Sequence, residues 1–289
     1  MWILEIVISI LLWIVIIVGI AFAIHKKSSQ HNYRKPINLN KRDSSKQQKG
    51  NDGEFLVAKE LTTFLDESKY KVLNDILLQI DNDKTAQIDH IVVSTYGIFV
   101  IETKNWNGFI TGGKDSYFWF KRNSGNKITM MKNPIKQNER HIQALKQIFS
   151  DFNINIEKEL FYSLIVFVQG QKPNIGDLNN CSVIPLNDLI EKIDSYNNKE
   201  ILEESQIEKL IELIQQENIE DKETRLDHNE RAKKVLQVQQ DKIKKHICPL
   251  CNCKLEHRNG PYGKFYDCSN HLKCDFSIKD IDWINDFYK

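Results

Sequence analysis

The stretch from Gln87 to Asn105 limits what this chain can fold into more than any other. Two apolar, β-branched runs, 91–93 and 98–101, flank Ser94-Thr95-Tyr96-Gly97, so the segment reads as a β-hairpin. Nearly continuous apolar strands belong in a sheet that is covered on both faces. Yet Asp89 stands at the mouth of the first strand, and Glu102 and Lys104 close the second. Strand alternation puts Glu102 and Lys104 on one side, roughly 7 Å apart along the chain, with Thr103 opposite. The hairpin brings Asp89 beside that pair. Two carboxylates and an ammonium at the end of a buried sheet are costly unless a cation and a substrate use them.

Two acidic oxygens suit a hard divalent cation, Mg²⁺ or Mn²⁺, which completes its shell with water and phosphate oxygens. Such a metal would lower the pKa of a bound water and offset charge in phosphodiester cleavage. Lys104 would orient that water or neutralise the pentavalent phosphorus. For so short a pattern, the alternative is a turn capped by Asp89 and an exposed Glu102–Lys104 ion pair.

The chain has 289 residues and a net charge of +1, so it has room for two folded units and carries no bulk field for a polyanion. Residues 6–24 are uncharged and long enough to span a bilayer as a helix. Glu5 precedes them, whereas Lys26, Lys27, Arg34 and Lys35 follow, which predicts a single-pass anchor with the rest of the chain cytoplasmic. A cleaved signal peptide is the alternative. Its acidic leading region and long apolar run argue against it.

Residues 26–49 are polar and lack apolar periodicity, as a tether does. A helix is expected over 52–65, with Glu54 in its first turn; favourable placement against the helix dipole is the plain reading of Glu54. Strands are expected at 70–78, 109–111, 117–120, 127–130, 161–168 and 182–184. Asn133-Pro134 starts a helix to about 149, on which Gln137 and His141 share a face. Asn187 is expected to cap a helix over 188–193. Residues 200–217 form an amphipathic helix, and 220–245 an exposed, charged helical spacer. This order makes an α/β sandwich around a mixed sheet.

Five of the six cysteines lie between 248 and 274. Clustering of this kind in a cytoplasmic chain favours a metal over disulfides. Cys248, Cys251, Cys268 and Cys274 form two knuckles that suit tetrahedral Zn²⁺ in a closed zinc ribbon. Cys253 could replace Cys251. Between the knuckles, Arg258, Lys264, Phe265 and Tyr266 interleave cations with aromatics, as single-stranded nucleic acid requires. Packing of the aromatics on the zinc core is the alternative.

Residues 50–193 resemble a NERD (nuclease-related) domain through Gly50-x2-Gly53-Glu54, Gln87-Ile88-Asp89-His90-Ile91, Gly97-Ile98-Phe99-Val100-Ile101-Glu102-Thr103-Lys104, Asn105-Trp106-x-Gly108 and Asn133-Pro134-x2-Gln137. That family is similar to the PD-(D/E)XK nucleases. The resemblance implies a restriction-endonuclease-like mixed sheet flanked by helices. It also implies a metal held around Glu54, Asp89 and Glu102, a water served by Lys104, and Gln137 positioning metal-bound water or phosphate. The usual Pro before the Asp is replaced by Ile88. Cys248-Pro249-x-Cys251, Gly263-Lys264-Phe265-x2-Cys268-Ser269 and Cys274 are similar to the ribbons at the C-termini of bacterial type I topoisomerases, which bind single-stranded DNA.

The expected organisation is therefore an anchor over 1–25, with residues 2–24 in the membrane, a linker over 26–49, and a nuclease-like domain over 50–195. A spacer over 196–246 and a zinc ribbon over 247–289 complete it. The expected activity is metal-dependent hydrolysis of DNA. A DNA-binding membrane tether and a protein-interaction scaffold are the rivals.

Overall fold

The computed structural model describes residues 44–81, 84–122, 128–169, 172, 173, 175, 178, 180–261 and 263–280. The expected anchor, most of the linker, the turn at 123–126 and Tyr262 lie outside the described residues. Among the described residues, no helix is long and apolar enough to cross a membrane. Residues 1–48 and 49–289 form separate units; of the first, residues 44–48 are described, and they are helical.

Helix α1 spans Ser44–Phe64, starting about two turns before the expected position. Its early residues are polar throughout and carry no apolar stripe, so periodicity could not reveal them. Strands β1 (Tyr70–Asp81), β2 (Lys84–Ser94) and β3 (Gly97–Lys104) form an antiparallel meander. Strands β7 (Phe161–Phe167) and β8 (Cys181–Pro185) add in parallel, giving a mixed sheet in the order β1-β2-β3-β7-β8. Between β3 and β7 the chain makes a small antiparallel sheet, β4 (Phe109–Thr111), β5 (Phe118–Arg122) and β6 (Ile128–Lys132), and then helix α2 (Pro134–Asp151). The side chain of Asn133 caps α2 by accepting from the Ile135 N–H, with Pro134 at the first helical position.

Both sheet faces are covered, as the apolar strands require. One face packs Ile91, Val93, Ile98 and Val100 against α2 and α4 (Glu204–Gln216). The other packs Val92, Phe99, Ile101 and Leu164 against α1 and α3 (Leu189–Asp194). Asn187 does not cap α3. It lies inside a 3-10 turn, Leu186–Asp188, and α3 starts without a side-chain cap.

Helix α5 (Lys222–Lys244) is largely exposed but is not a detached spacer. His228 lies 2.7 Å from Thr85 of β2, and Gln240 donates to the Met130 carbonyl of β6 at 3.4 Å. After α5 the chain forms a second three-stranded sheet of β9 (Leu255–Gly260), β10 (Gly263–Cys268) and β11 (Ser277–Lys279). Its core is shared: Leu255, Tyr266, Phe276 and Ile278 pack with Phe118 and Met130 of the small sheet and Ile243 of α5.

The β2–β3 turn depends on Gly97. Its φ is 137°, and a Cβ there would lie 2.7 Å from both the Leu160 carbonyl and the Tyr162 ring. Both conformation and space exclude a side chain. Gly97→Ala is expected to lower stability by about 2–4 kcal/mol in urea denaturation, without changing the fold seen by far-ultraviolet circular dichroism.

Candidate active site

The five side chains predicted for a metal-dependent site come from α1, β2, β3 and α2, and the fold draws them together at one end of the central strands of the large sheet. Gly53 makes the approach of α1 possible: a Cβ there would meet Asn105 Cβ at 2.8 Å. Asn105 in turn donates to the Lys49 carbonyl at 2.7 Å, fixing α1 to the end of β3. Glu54 follows directly. Because α1 begins at Ser44, Glu54 is well inside the helix, and the helix dipole does not account for it.

Glu102 is 1% exposed. One of its oxygens pairs with the Lys104 ammonium. The other lies 3.3 Å from His141 Nδ1 but off the hydrogen-bond axis, so neither atom has a hydrogen-bond partner among the described residues. Lys104 also reaches Gln137 Oε1 at 3.5 Å and sits 5.6 Å from the Trp106 ring centre. Asp89 accepts the Thr103 N–H at 2.7 Å, so its carboxylate stands where a backbone acceptor would. An exposed ion pair at a strand end is thus ruled out for Glu102 and Lys104.

The electrostatics follow from burial. Asp89 is held well above the usual carboxylate range by desolvation and then by the Glu102 and Glu54 charges. Glu54 is raised to about 7 by desolvation, with Asp75 and Glu102 adding to it, although part of its side chain reaches solvent. Burial acts to lower Lys104, but Glu102 and Asp89 outweigh it and keep the ammonium charged. Burial lowers His141 to about 4, so it is neutral near pH 7. His141 was visible in the sequence only as the partner of Gln137 one turn on. Its contact with Glu102 depends on how α2 crosses β3.

Residues 49–168 match the nuclease-related domain, NERD, and carry all five side chains. An uncharacterized protein of Bacillus anthracis is 30% identical over 180 residues, covering 62% of this chain and 82% of that protein. The chain belongs to the NERD family. No solved structure matches it.

Beyond the NERD segment, Cys248, Cys251, Cys268 and Cys274 bring their sulfurs within 4.8 Å of one another. The Cys248–Cys274 and Cys251–Cys268 separations are 3.7 and 3.3 Å. These exceed a disulfide of about 2.05 Å and approach the edges of a tetrahedron built on Zn–S bonds of about 2.3 Å. Backbone N–H groups of Leu250 and Cys251 point at Cys248, that of Cys253 at Cys251, and that of Asn270 at Cys268. The Cys251 thiol is lowered to about 6, first by the Cys253 N–H, whereas burial outweighs the donors and raises Cys248 and Cys268. These four cysteines can hold zinc, and Cys253 is not one of them.

The ribbon's cations and aromatics separate. Lys264 is exposed, and Phe265 pairs across the strands with Arg258, which also contacts Glu256 and Asp267. Tyr266 is only 7% exposed; it lies among the shared core residues, 4.8 Å from His246 and 5.0 Å from His257 between ring centres. Alternation along β10 gives one aromatic to each face, and the docked face takes Tyr266. It is therefore not available to stack on a base.

Glu54 holds its proton up to about 7 in the folded chain, against 4.5 when unfolded. Between those values the folded state binds the extra proton, so stability falls as pH rises through that window, on the order of 3 kcal/mol for this group alone. Asp89 acts in the same direction. Thermal unfolding should show this decline, and Glu54→Gln should flatten it. For the cysteines, Cys→Ser at 248, 251, 268 or 274 should abolish stoichiometric zinc, measured by elemental analysis, whereas Cys253→Ser should retain it.

Proposed function

We propose that this NERD protein is a divalent-metal-dependent nuclease that hydrolyses phosphodiester bonds in DNA. Residues 2–24 hold it in the membrane, and its folded part faces the cytoplasm. The observation that carries the reading is the convergence of three carboxylates, Glu54, Asp89 and Glu102, whose charges act on one another beside the Lys104 ammonium. Carboxylates that burial and mutual repulsion keep protonated, together with a buried Glu102 oxygen that has no hydrogen-bond partner among the described residues, fit a hard divalent cation that would displace those protons.

Asp89 and Glu102 are the ligands, and Glu54 supports them. A bound Mg²⁺ or Mn²⁺ supplies a more acidic water and offsets negative charge. Lys104, kept charged by its carboxylate neighbours, stabilises the anionic phosphate or orients the attacking water. Gln137 contributes an amide within reach of Lys104 and aligns water or a phosphate oxygen. His141, neutral and against Glu102, limits the rotation of that carboxylate. On the ribbon, Arg258, Lys264 and Phe265 are the side chains that contact the strand. The sequence supports the membrane assignment through the uncharged run and its positive flank.

The test uses the full chain in detergent with labelled linear, nicked and single-stranded DNA, in Mg²⁺, Mn²⁺ or EDTA. Metal-dependent cutting is expected, with Asp89→Ala and Lys104→Ala each reducing it by roughly 10³-fold or more while DNA binding persists. Binding without cutting under every metal would sink the nuclease reading in favour of a tether. Neither binding nor cutting would favour the scaffold.

A further inference from the structure

We infer that Arg225, on the helix beyond the NERD match, is a positioning residue for the metal site. It holds Asp75 in a left-handed backbone conformation across from Asp89, and so keeps β2 splayed where Asp89 turns its carboxylate to the site. The inference rests on the metal site proposed above.

The pairing of β1 with β2 runs through Asn74↔His90 and resumes at Ile76↔Ile88, leaving Asp75 opposite Asp89. Asp75 has φ 54°, a conformation that costs an L-residue roughly 1–2 kcal/mol and that Asp tolerates better than most. On the other side of β2, pairing with β3 starts at His90↔Ile101, and Asp89 takes the Thr103 N–H with its side chain instead. Strand β2 is therefore released on both sides at the one residue whose carboxylate faces Glu54 and Glu102. Something must hold that geometry.

Arg225 does so with every face of its guanidinium. Nη1 donates to Asp75 Oδ1 at 2.8 Å, and Nη2 to the Asp75 carbonyl at 3.0 Å. Nη2 also reaches Asn218 Oδ1 at 3.0 Å, and Nε donates to the Ile219 carbonyl at 2.8 Å. The same loop is tied to β1 beyond the distortion: Asn218 Oδ1 accepts the Leu77 N–H at 2.9 Å, and the Ile219 N–H donates to the Leu77 carbonyl at 2.8 Å. Gln87 donates to Asp75 Oδ1 at 2.8 Å from β2 itself. An exposed ion pair contributes little, but a planar fork that grips a carboxylate and its own backbone carbonyl fixes a direction. The Arg225 side chain is 17% exposed but that of Asp75 is 58%, so the bonds of the fork to the Ile219 carbonyl and to Asn218, more than the ion pair, fix its direction. The Asp75 charge is also felt at Glu54, which ties this position to the site.

The experiment is calorimetric titration of the zinc-saturated full chain with Mn²⁺, with Asp89→Ala to locate the binding. Arg225→Ala should weaken Mn²⁺ binding about tenfold. Adding Asp75→Gly to Arg225→Ala should recover most of that loss, because glycine adopts the left-handed conformation without a clamp and leaves no unpaired carboxylate. Asp75→Gly alone is the reference for the pair. Unchanged affinity in Arg225→Ala overturns the inference. A loss that persists in the double variant overturns it as well, since Arg225 would then only dock α5. If the wild-type chain binds no Mn²⁺ that Asp89→Ala removes, the metal site fails first and this role fails with it.

Discussion

Glu54, Asp89 and Glu102 converge at the end of the central strands beside the Lys104 ammonium, and most of the surrounding architecture can be understood as what that crowding of carboxylates demands. A lone buried charge costs several kcal/mol, and burying like charges together costs more. The chain meets this cost in three ways. Apolar clusters on both sheet faces supply the cohesion. Donors are aimed at the carboxylates, with the Thr103 N–H on Asp89 and the Lys104 ammonium on Glu102. The remaining charge is met by protons, since Glu54 and Asp89 both keep theirs well above the ordinary range. A proton is a poor permanent partner for such a group, because any divalent cation that fits can displace it. On the proposed reading, proton and metal would compete for the same oxygens.

The hairpin that carries this site was legible because its signals are local. Alternation, the Tyr96-Gly97 turn and the abrupt arrival of charge after Ile101 all sit within the stretch from Gln87 to Asn105. The buried strands, the Asn133-Pro134 helix start and the cysteine knuckles were readable for the same reason. The beginning of α1 was not, because Ser44 to Lys49 is polar on all sides and its composition is that of a linker. The exposure of α5 was readable, but not what it touches: Arg225 and Asp75 are 150 residues apart, and neither stands in a motif. His141 was seen as a face-mate of Gln137 without a reason to prefer it over any polar residue beside an apolar stripe.

Tyr266 shows a different limit. A strand of alternating exposure presents Phe265 and Tyr266 to opposite faces, and nothing local says which face is covered. The answer comes from Phe118, Met130 and Ile243, three residues in other elements that close over the tyrosine. The cysteine module is too small to bury a sufficient core alone, and it solves this by sharing one with the small sheet inserted between β3 and α2. Zinc would brace a shared core and not an isolated one. Loss of the metal would then reach β5 and β6, whose last residue leads through Asn133 into the helix that carries Gln137 and His141.

This coupling bears on how much chain the site needs. The family match ends at residue 168, yet the sheet is not complete there. β8 pairs with the buried strand β7, and α3 and α4 cover apolar faces that would otherwise be open to water. The loop before α5 is bonded to the backbone of β1 one residue beyond Ile76, and α5 itself grips Asp75. Each of these contacts falls on the structure that holds the carboxylates, not on a remote surface. The cooperative unit that positions the acidic site therefore extends well past the segment that identifies the family. Residues that look like spacer by composition act as its outer frame.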